Sequence, residues 1–224
     1  MSTPRRDFLG WMGASALIGA APSTLLASTP NPTHTKPSSA DWDMTWTGRV
    51  TGSRKMVFDA PELESGFPVV RANVVGLQYA EVFGLTMPEI SRVLVLRHHA
   101  IEFAMNDAYW GRFKVGSAAG FNGPDGKAVM FNPVRVPNAA VPEPFRPLML
   151  SMFQQSGGIV LACNLALQHS VVPRYAAAGM SADAAYAAAK ADLLPGVILQ
   201  PSGVFAVSVA QDAGCSLIPA SAAA

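Results

Sequence analysis

Residues 157–169 read GGIVLACNLALQH. Two glycines punctuate the chain, IVLAC is a short apolar run of the kind a strand buried on both faces requires, and NLALQH opens a helical pattern. A strand running straight into a helix is half of a parallel-sheet unit. Cys163 falls on the turn between the two. In a parallel sheet the strand C-termini share one edge, and ligands bind there.

The same alternation extends in both directions. Upstream, KMVFD (55–59) reads as a strand closed by Ala60-Pro61, and VVRANVVGLQYAEVF (69–83) has apolar residues at near-helical spacing before Gly84. ISRVLVL (90–96) is a nearly continuous apolar run, AIEFAMNDAYW (100–110) has a helical look, and PLMLSMFQQSG (147–157) is a helix stopped by glycine. Downstream, residues 164–179 are helical to the neighbourhood of Pro173, and SADAAYAAAKADLL (181–194) is an Ala-rich helix with Ser181 as N-cap. GVILQ (196–200) is a strand, SGVFAVSVAQDAG (202–214) a helix, and CSLIP (215–219) a last strand. Five strands, near residues 56, 92, 160, 198 and 216, alternate with helices, so the fold is α/β with a mostly parallel sheet.

That order distributes the reactive side chains. Cys163, Arg97-His98-His99, Asp59 and Gln200 all end strands and share the C-terminal edge, with Asn164 opening the helix after Cys163. Cys215 begins its strand and belongs at the opposite edge. A five-residue strand spans roughly 17 Å, whereas bridged cysteines need Cα atoms within about 7 Å, so both thiols are expected free. The place of Cys163 suits an activated thiolate at a helix start and equally a small packed hydrophobe, and both readings stand at this stage. Adjacent histidines on an extended chain point apart, and His98, His99 and Cys163 match no standard zinc spacing, so no metal site is expected.

Residues 114–147 are rich in glycine, proline and asparagine and form a long loop able to cover a site, with Trp110 and Phe121 as pocket-lining candidates. Glu102 is expected to face water, Asp107 to cap its segment, Met149 and Met152 to lie in the core, and His169 to be a satisfied helix histidine. No phosphate loop, serine elbow or dinucleotide fingerprint is present, and no cofactor is implied.

The chain has 224 residues, half of them hydrophobic and 14% charged, with a formal net charge of +1 and no basic run. That balance provides for a sizeable core and excludes a phosphate-binding nucleic-acid surface. Residues 1–27 have a basic start and a Gly/Ala-rich apolar stretch, the layout of an export signal. Arg5 and Arg6, one further residue, then Phe8-Leu9 resemble a twin-arginine (Tat) signal. The resemblance implies export of a folded protein to the periplasm by the Tat translocase; the alternative is a membrane anchor made by an uncleaved signal. A Pro/Ser/Thr-rich linker (28–53) follows, in which Trp42 and Trp46 are expected to dock on the domain (54–219); 220–224 reads as a disordered tail.

The segments KMVFDAPE, RVLVLRHHAIEFAMNDAYW, NGPDGKAVMFNP, GGIVLACNLAL and DLLPGVILQPSGVFAVSVAQDAGCSLI, taken together over residues 55–219, resemble the DsrE/DsrF-like family. That resemblance implies a three-layer α/β/α fold and a homotrimer or homohexamer. It also implies a cysteine after the central strand that accepts sulfur as a persulfide and passes it to a partner protein, a carrier rather than a turnover enzyme. Cys163 occupies the matching place. The resemblance carries no role for His98 or His99; from their shared strand edge, His98, His99 or Arg97 would assist the thiolate, and Asn164, Trp110 and Gln200 complete the candidate binding residues. The alternative function is a non-catalytic oligomer that binds a small ligand, with Cys163 packed in its core.

Overall fold

Strand β2 (Ile90–Leu96) is buried at every residue, as a central strand must be. The computed structural model describes residues 42–221. Arg5, Arg6, Phe8 and Leu9, and with them the export signal, lie outside the described residues. On either side of β2 stand β1 (Arg54–Ala60) and β3 (Ile159–Cys163), then β5 (Ser216–Pro219) beyond β1 and β4 (Val197–Gln200) beyond β3. Every pairing is parallel, in the order β4-β3-β2-β1-β5. The five strands and the α/β class expected from the alternation are all present.

Period-two alternation divides the strand side chains between two layers. Met56, Phe58, Ala60, Leu94, Leu96, Val160 and Ala162 enter the larger core. Over them lie α1 (Phe67–Phe83), α2 (Asp107–Arg112), α3 (Val115–Ala119), α4 (Leu150–Gln155), α5 (Asn164–Ala166), α6 (Val172–Ala177) and α7 (Ala182–Ala191). A π turn at Leu167–Val171 joins α5 to α6, so the helical run passes through Pro173.

The other face carries Val57, Val93, Val95, Ile159 and Leu161 beneath α8 (Gly203–Asp212). Its chain leaves β4 at one edge and must reach β5 at the other. Five strands at about 4.8 Å separation span roughly 19 Å, and ten helical residues cover about 15 Å, so one helix crosses the whole sheet and contacts all five strands. It lies close because its buried stripe, Gly203, Ala206, Val207 and Ala210, is made of small residues at i, i+3, i+4, i+7 spacing. Trp46, in a 3-10 turn at Thr45–Arg49, fills the remaining space and is fully buried. Residues 42–53, read as the end of a linker, therefore contribute to the core.

The long loop is tied down rather than loose. The Asn132 side chain donates to the carbonyls of Phe103 (2.9 Å) and Met105 (2.8 Å). Asp107 accepts from Asn132 N–H at 3.1 Å and pairs with Arg135. The cap of α2 is Asn106, so Asp107 serves the loop instead. Gly116 approaches Val129 so closely that a Cβ on it would stand 2.1 Å from the Val129 carbonyl oxygen. Ala220 and Ser221, read as tail, are buried: Ala220 N–H donates to Asp59 O at 2.8 Å, and Glu62 N–H donates to Ser221 Oγ at 3.1 Å.

Candidate functional site

The strand register aligns the C-terminal ends of β1 to β4: Ala60 pairs with Leu96, Leu96 with Ala162, and Cys163 with Gln200. The segment after β3 enters the larger layer, while the one after β4 starts α8 on the opposite face. Adjacent strands whose exits diverge in this way leave a crevice between them. Cys163 and Gln200 stand at that crevice, and Arg97, His98 and His99 follow β2 on the same edge.

Cys163 is 6% exposed, and its Sγ accepts Ala166 N–H at 3.3 Å, capping α5. Arg97 reaches back to Asp59 as a bidentate pair, Nε to Oδ1 at 2.6 Å and Nη2 to Oδ2 at 2.8 Å. That hydrogen-bonded pairing raises Arg97 above its ordinary value against the cost of burial, and the nearby Cys163 and Glu62 add to the effect. Gly203 makes the arrangement feasible, because a Cβ there would lie 2.5 Å from Arg97 Cβ. Cys215 stands before β5 at the opposite edge, and both cysteines are free.

His98 and His99 do not diverge. His98 has φ +49°, in the left-handed region, and opens a 3-10 turn (His98–Ala104). The chain is therefore not extended at the pair, and the two rings lie side by side with centroids 4.0 Å apart. Both face Glu62, two residues past the end of β1 at Ala60: His98 Nδ1 is 2.8 Å from Oε1 and His99 Nδ1 is 2.7 Å from Oε2. Burial would push the Glu62 carboxyl up, but the two imidazoles together outweigh it and hold the group below the usual carboxylate range. The structure replaces the expected divergence with a cluster of Glu62, His98 and His99 that does not include Cys163.

Beside this cluster opens a cleft of about 460 Å³ lined by Glu62, His99, Glu102, Val115 and Arg174. Glu102, expected in water, is 5% exposed and pairs with Arg174 at 2.7 Å. Burial pushes its carboxyl up, and Arg174 only partly opposes this. Met152, expected in the core, is instead 38% exposed, while Met149 is buried as expected.

The other candidates separate from this edge. Trp110 is fully buried, its indole N–H donates to Glu102 O at 2.8 Å, and its ring stacks on Phe103, so it belongs to the core. Phe121, packed against that indole, does line a cavity of about 400 Å³ with Phe67, Val70, Val134, Phe145 and Met149. Asn164 is buried and accepts from the Tyr186 hydroxyl at 2.8 Å. Gln200 is fully buried, and its amide donates to the carbonyls of Asp43 (2.9 Å) and Leu199 (3.1 Å), anchoring the segment that carries Trp46. Glu62 and Arg174 escaped the sequence reading, and Glu102 was placed in water rather than in a buried pair. The signal for Glu62 was its place just past Ala60-Pro61 at a strand end; Arg174, 72 positions from Glu102, carried none.

The chain matches no protein-family model, no curated protein and no solved structure.

Proposed function

We propose that the chain is an exported, DsrE-like sulfur-handling protein in which Cys163 holds sulfur as a persulfide. The observation that carries this reading is the setting of Cys163 on the site edge: its sulfur takes a backbone N–H, and Arg97 follows the adjacent strand β2 one residue past the Leu96–Ala162 pair. The Cys163 thiolate attacks the outer sulfur of a persulfide donor, R–S–SH. A bond forms to Sγ, the donor S–S bond breaks, and the electron pair leaves on R–S⁻. An acceptor thiolate then takes the outer sulfur and Cys163 is regenerated as thiolate, with no net oxidation. With only 6% of the residue exposed, the first donor is a small molecule rather than the face of a folded protein. Arg5-Arg6 and Phe8-Leu9 support export through the Tat translocase to the periplasm, and among the described residues no helix is long and apolar enough to cross a membrane. The exposed Leu77, Val82 and Phe83 on α1 support a homotrimer or homohexamer.

Intact-mass measurement on protein from the exported fraction tests the reading. The expected result is an adduct of one sulfur atom, removed by reductant and missing from Cys163→Ser. A Cys163→Ser protein that still carries the adduct overturns it.

A second reading, an oligomer that binds a small apolar ligand, is favoured by the cavity of about 400 Å³ beneath the 114–147 loop. Native mass spectrometry showing a co-purified apolar molecule, lost in Val70→Trp, with Cys163 unmodified, would select it.

A further inference from the structure

We propose that Glu62, His98 and His99 form a binding site for a divalent first-row transition ion such as zinc. One donor atom from each residue lies within 4.8 Å of the other two, and the carboxylate already presents one oxygen to each imidazole, at 2.8 and 2.7 Å. With an ion bound, each neutral imidazole would carry its proton on Nε2 and offer Nδ1, the nitrogen that already faces the carboxylate, to the metal. Two imidazole nitrogens and one carboxylate oxygen are the donor set that zinc, iron and their neighbours favour over calcium or magnesium.

The surroundings suit a site that is reached from solvent. The two histidine side chains are 58% and 61% exposed, so one side of the ion would remain open to water or to a further ligand. The adjoining cleft lies on that route. Glu62 is fixed from behind through its backbone, which exchanges hydrogen bonds with Ser221 Oγ. Arg97, the cation beside the cluster, is engaged by both oxygens of Asp59 and does not occupy the Glu62 carboxylate. The left-handed turn at His98 is what sets the two rings on the same carboxylate. This site is distinct from the Cys163 chemistry and stands or falls without it.

The test is zinc titration of untagged, chelator-stripped protein against a chromogenic competitor, with folding of every variant checked by its metal-free thermal melt. Wild type is expected to bind one ion per chain. His99→Ala, Glu62→Gln and His98→Asn, the last keeping a residue that tolerates left-handed backbone, should each weaken binding at least tenfold. His169→Ala and Cys163→Ser should leave it unchanged. Zinc affinity that is equal in wild type and His99→Ala, or that falls in His169→Ala instead, overturns the proposal.

Discussion

Glu102 and Arg174 illustrate how much one buried charge depends on its partner. Removing Arg174 leaves a carboxylate with almost no access to water, and breaking such a pair costs 3–5 kcal/mol when both groups are buried. Arg174 keeps 31% of its side-chain exposure, so Arg174→Ala is expected to cost less, about 2–3 kcal/mol at pH 7. The sign of its pH dependence follows from the carboxyl already raised by burial. Without Arg174 it rises further, so the deficit is greatest where Glu102 is ionised and shrinks as pH falls toward the acid range. Urea melts at pH 7 and pH 5 check this, and an equal deficit at both would refute it. Cys215 offers a second residue-scale check. Burial raises its thiol above the ordinary 9.0, with Lys55 in partial opposition. In the native state it should alkylate more slowly at pH 8 than after denaturation, and the gap should close as pH climbs past 9. Because the folded value is the higher one, the stability linked to this thiol is complete below pH 9 and is lost as pH rises through the folded value. At this scale the sequence was a partial guide. Strand ends placed Cys163, Arg97 and Asp59 correctly, but a positive φ at His98 leaves no mark on residue type, and so the convergence on Glu62 stayed hidden.

Among the elements, the 114–147 stretch depended most on local geometry. Gly116 sits in α3 with no room for a side chain, and the obstructing atom is a backbone oxygen that cannot swing aside. Gly116→Ala is therefore expected to cost about 1–3 kcal/mol, as overpacking does, and to make residues 120–148 open to limited proteolysis while the sheet persists. Unaltered cleavage and stability would show that the loop is anchored elsewhere. The strands and long helices were legible because each repeats a period: alternation or continuous burial for β1 to β5, small residues at helical spacing for α8. The turns were not. Asn132 holds two carbonyls of another segment, and Arg135 binds Asp107 28 positions away, contacts that no periodicity encodes.

Across the whole molecule, the two faces of the sheet are unequally covered. Seven helices share one, whereas α8 and a single 3-10 turn cover the other. Trp46 is thus a large part of a thin layer, and Trp46→Ala should cost about 3–5 kcal/mol, the range for emptying a buried aromatic site. Thermal melting gives the answer, and a loss under 1 kcal/mol would mean that the layer closes without it. The reading of 28–53 as linker did expect Trp46 to dock, but not that it would be fully enclosed beneath the sheet, because a polar, proline-rich run has no periodicity to show it; the strand order was equally beyond reach. That order has a consequence in time. The last strand made, β5, covers the outer edge of the first, β1, and Ala220 and Ser221 complete the loop that bears Glu62. A nascent chain that has emerged only through α8 carries an open β1 edge, able to pair with another chain, and an unfinished histidine-carboxylate cluster. Loss of even a short C-terminal piece would therefore act at a distance in sequence, on the site that the first strand builds.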